Sequence, residues 1–502
     1  MFDNLIILFT LLPFAVLFLG GIFTLSIENT KRRFEIATFM IAFSLFLNSL
    51  LLIIPDFEID KGSIQVTRGN LYLIEFVLII SLIFSISALH NLKTSKFIEY
   101  FGLIYSLLVS SFVGMSLSDN ILIVVFFFMM STVLVIQVFY FGDYEKDFFQ
   151  IRSFLAVAVL SFTFLIIGVI ILFINKGTFN MNEIKTVVNE ELSILDVISL
   201  FLLIFGFGAI VGIAPIGFYH LNDYFEESNP VSLKIFNIVF IPAVGMAIFR
   251  IITCFTVNNS NVAFVLFLIG GSGLVVNIIW TMMELFGKFR RQSYSLKKIL
   301  GYLGLSDFNL FLILISSSIY ASSEFKIQTY TAALMFMIGS SITKAFIYEA
   351  LNPIFDDPEN EIFDLKLLGD YYRVYPNMFY IFVIGVSAML FPYLPGNIFL
   401  ANSLNYIFSG STSPVHNGFL ILSFIMVISY IIIFCFAYSI IASEIFFGKP
   451  KYRELSGYQK VDSFYLITPL LLIFGLVVLV FIQNFMTILF NSILNDLILT
   501  TF

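Results

Sequence analysis

The chain is 502 residues long, 59% hydrophobic and 12% charged, with a formal net charge of −7 and a mean hydropathy of +1.00. These values exclude a soluble globular domain, in which about 25% of residues are charged. The net charge says little about partners, since it comes mostly from loop carboxylates such as Asp356, Asp357, Glu359 and Glu361; no nucleic acid is expected among them.

Crossing a bilayer takes roughly 20 apolar residues at about 1.5 Å each. By that measure about fourteen segments span, at 5–27, 36–54, 71–89, 100–117, 121–141, 154–174, 194–219, 231–255, 262–286, 300–320, 329–351, 378–404, 419–447 and 464–490. The fold class expected is an all-α polytopic membrane protein, one transmembrane domain over 1–502 in contact with the lipid bilayer. The longest interruptions, 175–193 and 352–376, are too short for a hydrophobic core of their own, which leaves no room for an extramembrane catalytic domain.

Basic residues in short loops stay on the cytoplasmic side. One alternating set of loops holds Lys31, Arg32 and Arg33, the run from Lys288 to Lys298 and the run from Lys449 to Lys460. The opposite set holds only Lys61, Arg68, Lys176, Lys185 and Lys326. Both termini are therefore expected on the non-cytoplasmic side of a cell (inner) membrane. The start Met1-Phe2-Asp3-Asn4 lacks a basic region, so the first segment is expected to be a retained span.

Cys254 and Cys435 both fall inside apolar spans, and His90, His220 and His416 stand singly. That pattern suits packing and offers no ligand set for zinc, haem or an iron–sulfur cluster. With no phosphate-cradling glycine loop either, no metal and no cofactor is expected in this chain.

Charges inside a bilayer cost roughly 2.5 to 3.5 kcal/mol each on insertion scales, so they mark function or a paired structural role. Lys344, within Gly339-Ser340-Ser341-Ile342-Thr343-Lys344, lies about ten residues from either end of its segment, with Glu349 following nearer the surface. A protonatable amine on an ion path and a lysine paired for structure both fit. Glu75, Asp196, Glu284 and Glu444 lie near span ends and are expected to reach the headgroups, as are Lys234 and Arg250 at the two ends of the eighth span.

Two spans carry helix breakers: the seventh in Gly206–Gly217 with Pro215, the twelfth at Pro392 and Pro395. They lie five spans apart, as an inverted five-helix repeat of spans 4–8 and 9–13 requires, over 100–255 and 262–447. Matched broken helices in transporters point to the ion route.

The motifs that follow resemble one family. Ile213-Ala214-Pro215-Ile216-Gly217-Phe218-Tyr219-His220, then Ser228-Asn229-Pro230-Val231-Ser232 with Arg250 beyond, is similar to a stretch shared by the antiporter-like membrane subunits of respiratory complex I (NADH:quinone oxidoreductase), energy-converting hydrogenases and multisubunit cation/proton antiporters. Lys297–Ser306, Ser341–Phe346, Asp364–Asp370 with Pro376, Phe391–Gly396 and Glu444–Pro450 resemble further elements in the same order, covering about 121–450. The resemblance implies a non-redox subunit of an assembly that pumps protons or sodium ions, with partner subunits carrying any electron transfer. It places Lys344 and Glu349 in ion translocation.

The family's row of mid-membrane charges is mostly missing. Phe128, Ile210, Ile241 or Pro242, Leu400 and Ser340 stand where charged residues are expected, leaving Lys344 alone. Water does not wet such side chains, so the first half of the route is expected to be closed, and a docking or structural role, or an altered route through Lys344, follows. A secondary ion transporter, or the membrane half of an ion-coupled solute-uptake pair, is the alternative on the same fold.

Overall fold

A computed structural model describes residues 2–53, 59–61, 64–66, 68–91, 98–141, 152–188, 193–213, 221, 224–226, 228, 230–255, 260–286, 295–320, 323–355, 365, 368–390 and 414–448. The helices are α1 (Phe2–Thr24), α2 (Thr30–Ile53), α3 (Arg68–Asn91), α4 (Ile98–Leu117), α5 (Ile121–Phe141), α6 (Arg152–Lys176), α7 (Met181–Val188) and α8 (Ile194–Ile210). Then come α9 (Pro230–Phe255), α10 (Ser260–Phe286), α11 (Leu296–Tyr320), α12 (Ser323–Ala350), α13 (Asn352–Phe355), α14 (Tyr371–Val374), α15 (Pro376–Leu390) and α16 (Pro414–Phe447). A small antiparallel hairpin, β1 (Ile59–Lys61) against β2 (Ile64–Val66), lies in the connection before α3.

Among the described residues, nine helices are long and apolar enough to cross a membrane. Three shorter apolar helices, Leu8–Thr24, Ile194–Ile210 and Pro376–Ala388, fall in segments expected to span. The eleventh expected span is α12, and the last, 464–490, lies outside the described residues. This is a multi-pass membrane protein. Phe39, Phe46, Val159, Ile174 and Ile432 are more than half exposed, as lipid-facing side chains are, while serines and asparagines face inward.

The chain divides into two compact units: residues 1–220, 242–265 and 484–502 form unit 1, and 221–241 with 266–483 form unit 2. Within unit 1, α6 and α8 pack through small residues. A Cβ on Gly206 would meet Leu165 at 2.5 Å, and Ser199 Oγ donates to the Gly168 carbonyl at 2.8 Å. Asp196 does not reach outward as expected. It caps α8 in a reciprocal box with Ser193 and pairs with Lys176 at 3.0 Å, because four free amides at a helix start attract a carboxylate.

Arg250 also departs from the interfacial expectation. It is buried and donates from Nη1 to the Met115 and Ser116 carbonyls at 2.6 and 2.8 Å and from Nη2 to Ser118 at 2.9 Å. It thus satisfies the carbonyls orphaned at the end of α4. In the seventh expected span α8 ends at Ile210 and Gly212 adopts φ +82°, a left-handed turn that suits glycine. Pro215, Pro392 and Pro395 lie outside the described residues.

In unit 2, α11 packs on α12 and α16, and α12 packs on α15. The glycine run in α10 permits close approach to α11: a Cβ on Gly270 would meet the Asn309 carbonyl at 2.7 Å, and one on Gly273 the Asn309 Oδ1 at 2.0 Å.

Candidate ion site

In unit 2, Lys344 is not alone. Its Nζ lies 3.0 Å from Asp307 Oδ2, with the two side chains 4% and 1% exposed. Asp307 sits about 16 Å along α11 from Leu296, close to the middle of that helix. Lys344 lies nearer an end than expected, roughly 9 Å before Ala350, where α12 ends. Burial, not depth along its own helix, isolates the ammonium. The other carboxylate oxygen of Asp307 accepts the hydroxyl of Tyr430 from α16.

A backbone carbonyl completes the ammonium's surroundings, and its availability follows from the local sequence. Residues Ile235–Phe240 of α9 form a π-helical segment, and the Ile241 N–H donates to Phe236 O instead of Asn237 O. The π register would offer Asn237 O the N–H of the next residue, but that residue is Pro242, which has none. The freed carbonyl of Asn237 accepts from Lys344 Nζ at 3.3 Å. A buried carbonyl without its helical donor requires another partner, and the lysine supplies it.

The Asn237 side chain ties the site together. Its Nδ2 donates to Leu233 O at 3.1 Å and to Tyr348 Oη at 2.8 Å, while Oδ1 has no hydrogen-bond partner among the described residues. A Cβ on Gly304 would lie 1.7 Å from that oxygen, so glycine one turn before Asp307 is what lets Asn237 fit. Lys234, expected at the interface, is also buried. It donates to Asn352 Oδ1, and Asn352 Nδ2 donates to Glu349 Oε2 at 2.7 Å. Glu349 is thus linked to Lys234 through Asn352 at the end of α12. The polar groups brought together are Tyr430, Asp307, Lys344, Asn237 and Tyr348, with Glu349, Asn352 and Lys234 adjoining.

Asp307, Tyr430 and Asn237 were not read from sequence. A carboxylate about eleven residues into an apolar span meets the same test that singled out Lys344, so Asp307 was legible. Pro242 in mid-span was the signal for the freed carbonyl. Tyr430 carries no sequence signal, since one tyrosine among apolar residues reads as packing. In unit 1, Phe128 and Ile210 are fully buried, and the Phe128 ring lies 4.5 Å from that of Phe207. The positions expected to be apolar are also buried.

Among the described residues, no group of three or more His, Cys, Asp or Glu is placed to hold a metal ion. Ammonium, carboxylate, phenol and carbonyl in contact are groups between which a proton or a charge can move.

No family model matches the chain, and neither does any curated protein. Solved structures do. A chain in the structure of the Mrp complex from Dietzia sp. DQ12-45-1b matches with TM-score 0.78 and 13% identity over 100% of this chain and 98% of that one. A chain of the membrane-bound sulfane sulfur reductase, an archaeal respiratory membrane complex, matches with TM-score 0.74 and 14% identity over 98% of each. One from respiratory complex I of Thermus thermophilus matches with TM-score 0.70 and 14% identity over 95% of this chain and 98% of that one. The protein is therefore a polytopic membrane protein of the fold found in these multisubunit complexes. A fold shared with such complexes is what the resemblance of the motifs from Ile213 to Pro450 implied.

Proposed function

We propose that the chain is an antiporter-like membrane subunit of an ion-translocating complex, driven by redox chemistry on partner subunits, with Lys344 and Asp307 as the exchanging charges. The observation that carries this is the buried Lys344–Asp307 pair beside a carbonyl freed by the π segment. Burying an ion pair costs several kcal/mol of desolvation per ion, so such a pair is retained for a purpose other than stability. In the resting arrangement the ammonium and carboxylate neutralise each other. A proton arriving on Asp307 cancels the attraction, and Lys344 keeps the Asn237 carbonyl as its acceptor; loss of that proton restores the pair. Either change alters the local field by about one charge, which is what couples ion movement to a driving partner.

Glu349, Asn352 and Lys234 form the continuation of the polar row towards the end of α12. The broken segments around Pro215, Pro392 and Pro395, and the paired repeats over 100–255 and 262–447, belong to the same proposal. So do termini on the non-cytoplasmic side. The apolar packing of Phe128 and Ile210 leaves unit 1 without the family's route, so ion movement is assigned to unit 2 alone.

A secondary ion transporter working without electron transfer is the second reading. It is favoured by the likeness to a chain of the Mrp complex alongside those of two respiratory assemblies. A mild-detergent pull-down from native membranes separates the two. Iron–sulfur or other redox subunits co-purifying supports the first, and recovery without any redox subunit contradicts it.

A further inference from the structure

Unit 1 holds a second intramembrane acidic group, independent of the proposed route. Glu75, about 10 Å along α3 from Arg68, is half-buried on the face that carries Ile79, 40% exposed one turn later. Its Oε2 accepts from Asn48 Nδ2 at 2.7 Å, and its Oε1 lies 2.6 Å from Ser49 Oγ, both on α2. Asn48 is fully buried; its Nδ2 also donates to Leu71 O at 2.9 Å, and its Oδ1 has no hydrogen-bond partner among the described residues.

Counting hydrogens favours the neutral acid. Ser49 Oγ is within hydrogen-bond distance of two acceptors, Glu75 Oε1 and the Leu45 carbonyl at 2.9 Å, yet a hydroxyl has one hydrogen. With Glu75 ionised, one of those oxygen–oxygen contacts has no proton in it. With Glu75 protonated, its O–H donates to Ser49 Oγ, Ser49 donates to Leu45 O, and Asn48 donates to Oε2. Every contact is then satisfied.

No cation lies within ion-pair distance of Glu75 among the described residues. On α2 the charged groups are Lys31, Arg32, Arg33 and Glu35, about 20 Å or more along the helix from Asn48. On α4, Glu99 and Tyr100 stand near its start, and the Tyr105 hydroxyl is committed to Ser81 O. A half-buried carboxylate inside an apolar span without a cation is costly, and the hydrogen-bonded neutral acid is far less so.

We propose that Glu75 is a proton-binding site on the membrane-facing surface of unit 1, held there as the neutral acid and open to hydrophobic carbodiimides. In that modification the acid proton moves to a carbodiimide nitrogen while the carboxyl oxygen bonds to the central carbon, with no leaving group and no oxidant. The ionised carboxylate has no proton to give.

The test uses the purified full chain in lipid nanodiscs at pH 7, treated with dicyclohexylcarbodiimide and analysed by peptide mass spectrometry, with infrared spectra of untreated wild type and Glu75→Gln. The expected result is an adduct on Glu75 and a protonated-carboxyl band present in wild type and lost in the variant. Infrared spectra that coincide in that region overturn the proposal, since they show an ionised Glu75 whether or not the reagent reached it.

Discussion

Removing one member of a buried pair strands the other charge, which typically costs about 3–5 kcal/mol. Lys344→Ala and Asp307→Ala are each expected to lower the unfolding midpoint of the purified chain sharply. The double substitution should be less destabilising than the sum of the two, because it leaves no buried charge unpaired at this pair. A double-mutant cycle in one detergent measures this, and strictly additive losses would show that the pair is not an interacting unit. At this scale the sequence was half legible. Lys344 stood out as a charge in an apolar run, and Asp307 obeyed the same rule. Tyr430 and the Asn237 carbonyl were hidden because their roles depend on which helices meet and on which backbone donor is missing.

Hydropathy places helices well, since each must be long enough to cross lipid, and α2 to α6, α10 and α11 lie where the apolar runs put them. What hydropathy cannot show is a change of register inside a helix. The π segment of α9 has the same apolar composition as its flanks, and only Pro242 betrays it. Pro242→Ala returns an N–H that reaches the Asn237 carbonyl in the π register and competes with Lys344. Because proline in a helix interior costs about 3 kcal/mol relative to alanine, thermal stability should hold or rise while ion flux falls several-fold. Unchanged flux would mean that the freed carbonyl plays no part.

The end of α4 calls for the opposite outcome. Arg250→Ala leaves three buried carbonyls without their cationic donor and should cost about 3 kcal/mol or more, seen in thermal unfolding. Flux per assembled molecule should remain near wild type, since Arg250 lies outside the Lys344 cluster. Its burial was not legible from position alone, as an arginine near a span end can turn either way.

For the whole molecule, the fold was readable because a chain this apolar has few alternatives to a helical bundle, and the order of weak motifs narrowed it further. Orientation rests on loop charge. Single cysteines placed near Lys31 and Lys288 are expected to react with a membrane-impermeant maleimide only from the cytoplasmic side, and one placed near Lys176 only from the other. Reversed labelling would invert the assigned topology. On the proposed function, the apolar contact of Phe128 with Phe207 leaves charge exchange to the Lys344–Asp307 cluster of unit 2.

The most direct measurement is ion uptake by everted native membrane vesicles carrying the full assembly, with wild type compared against Asp307→Asn at equal assembly by native gel. Asparagine preserves shape and removes the charge that Lys344 answers to. The account predicts that proton or sodium uptake falls below about a tenth of wild type, corresponding to at least about 1.4 kcal/mol in the limiting step. Uptake at the wild-type level in a fully assembled variant would contradict it.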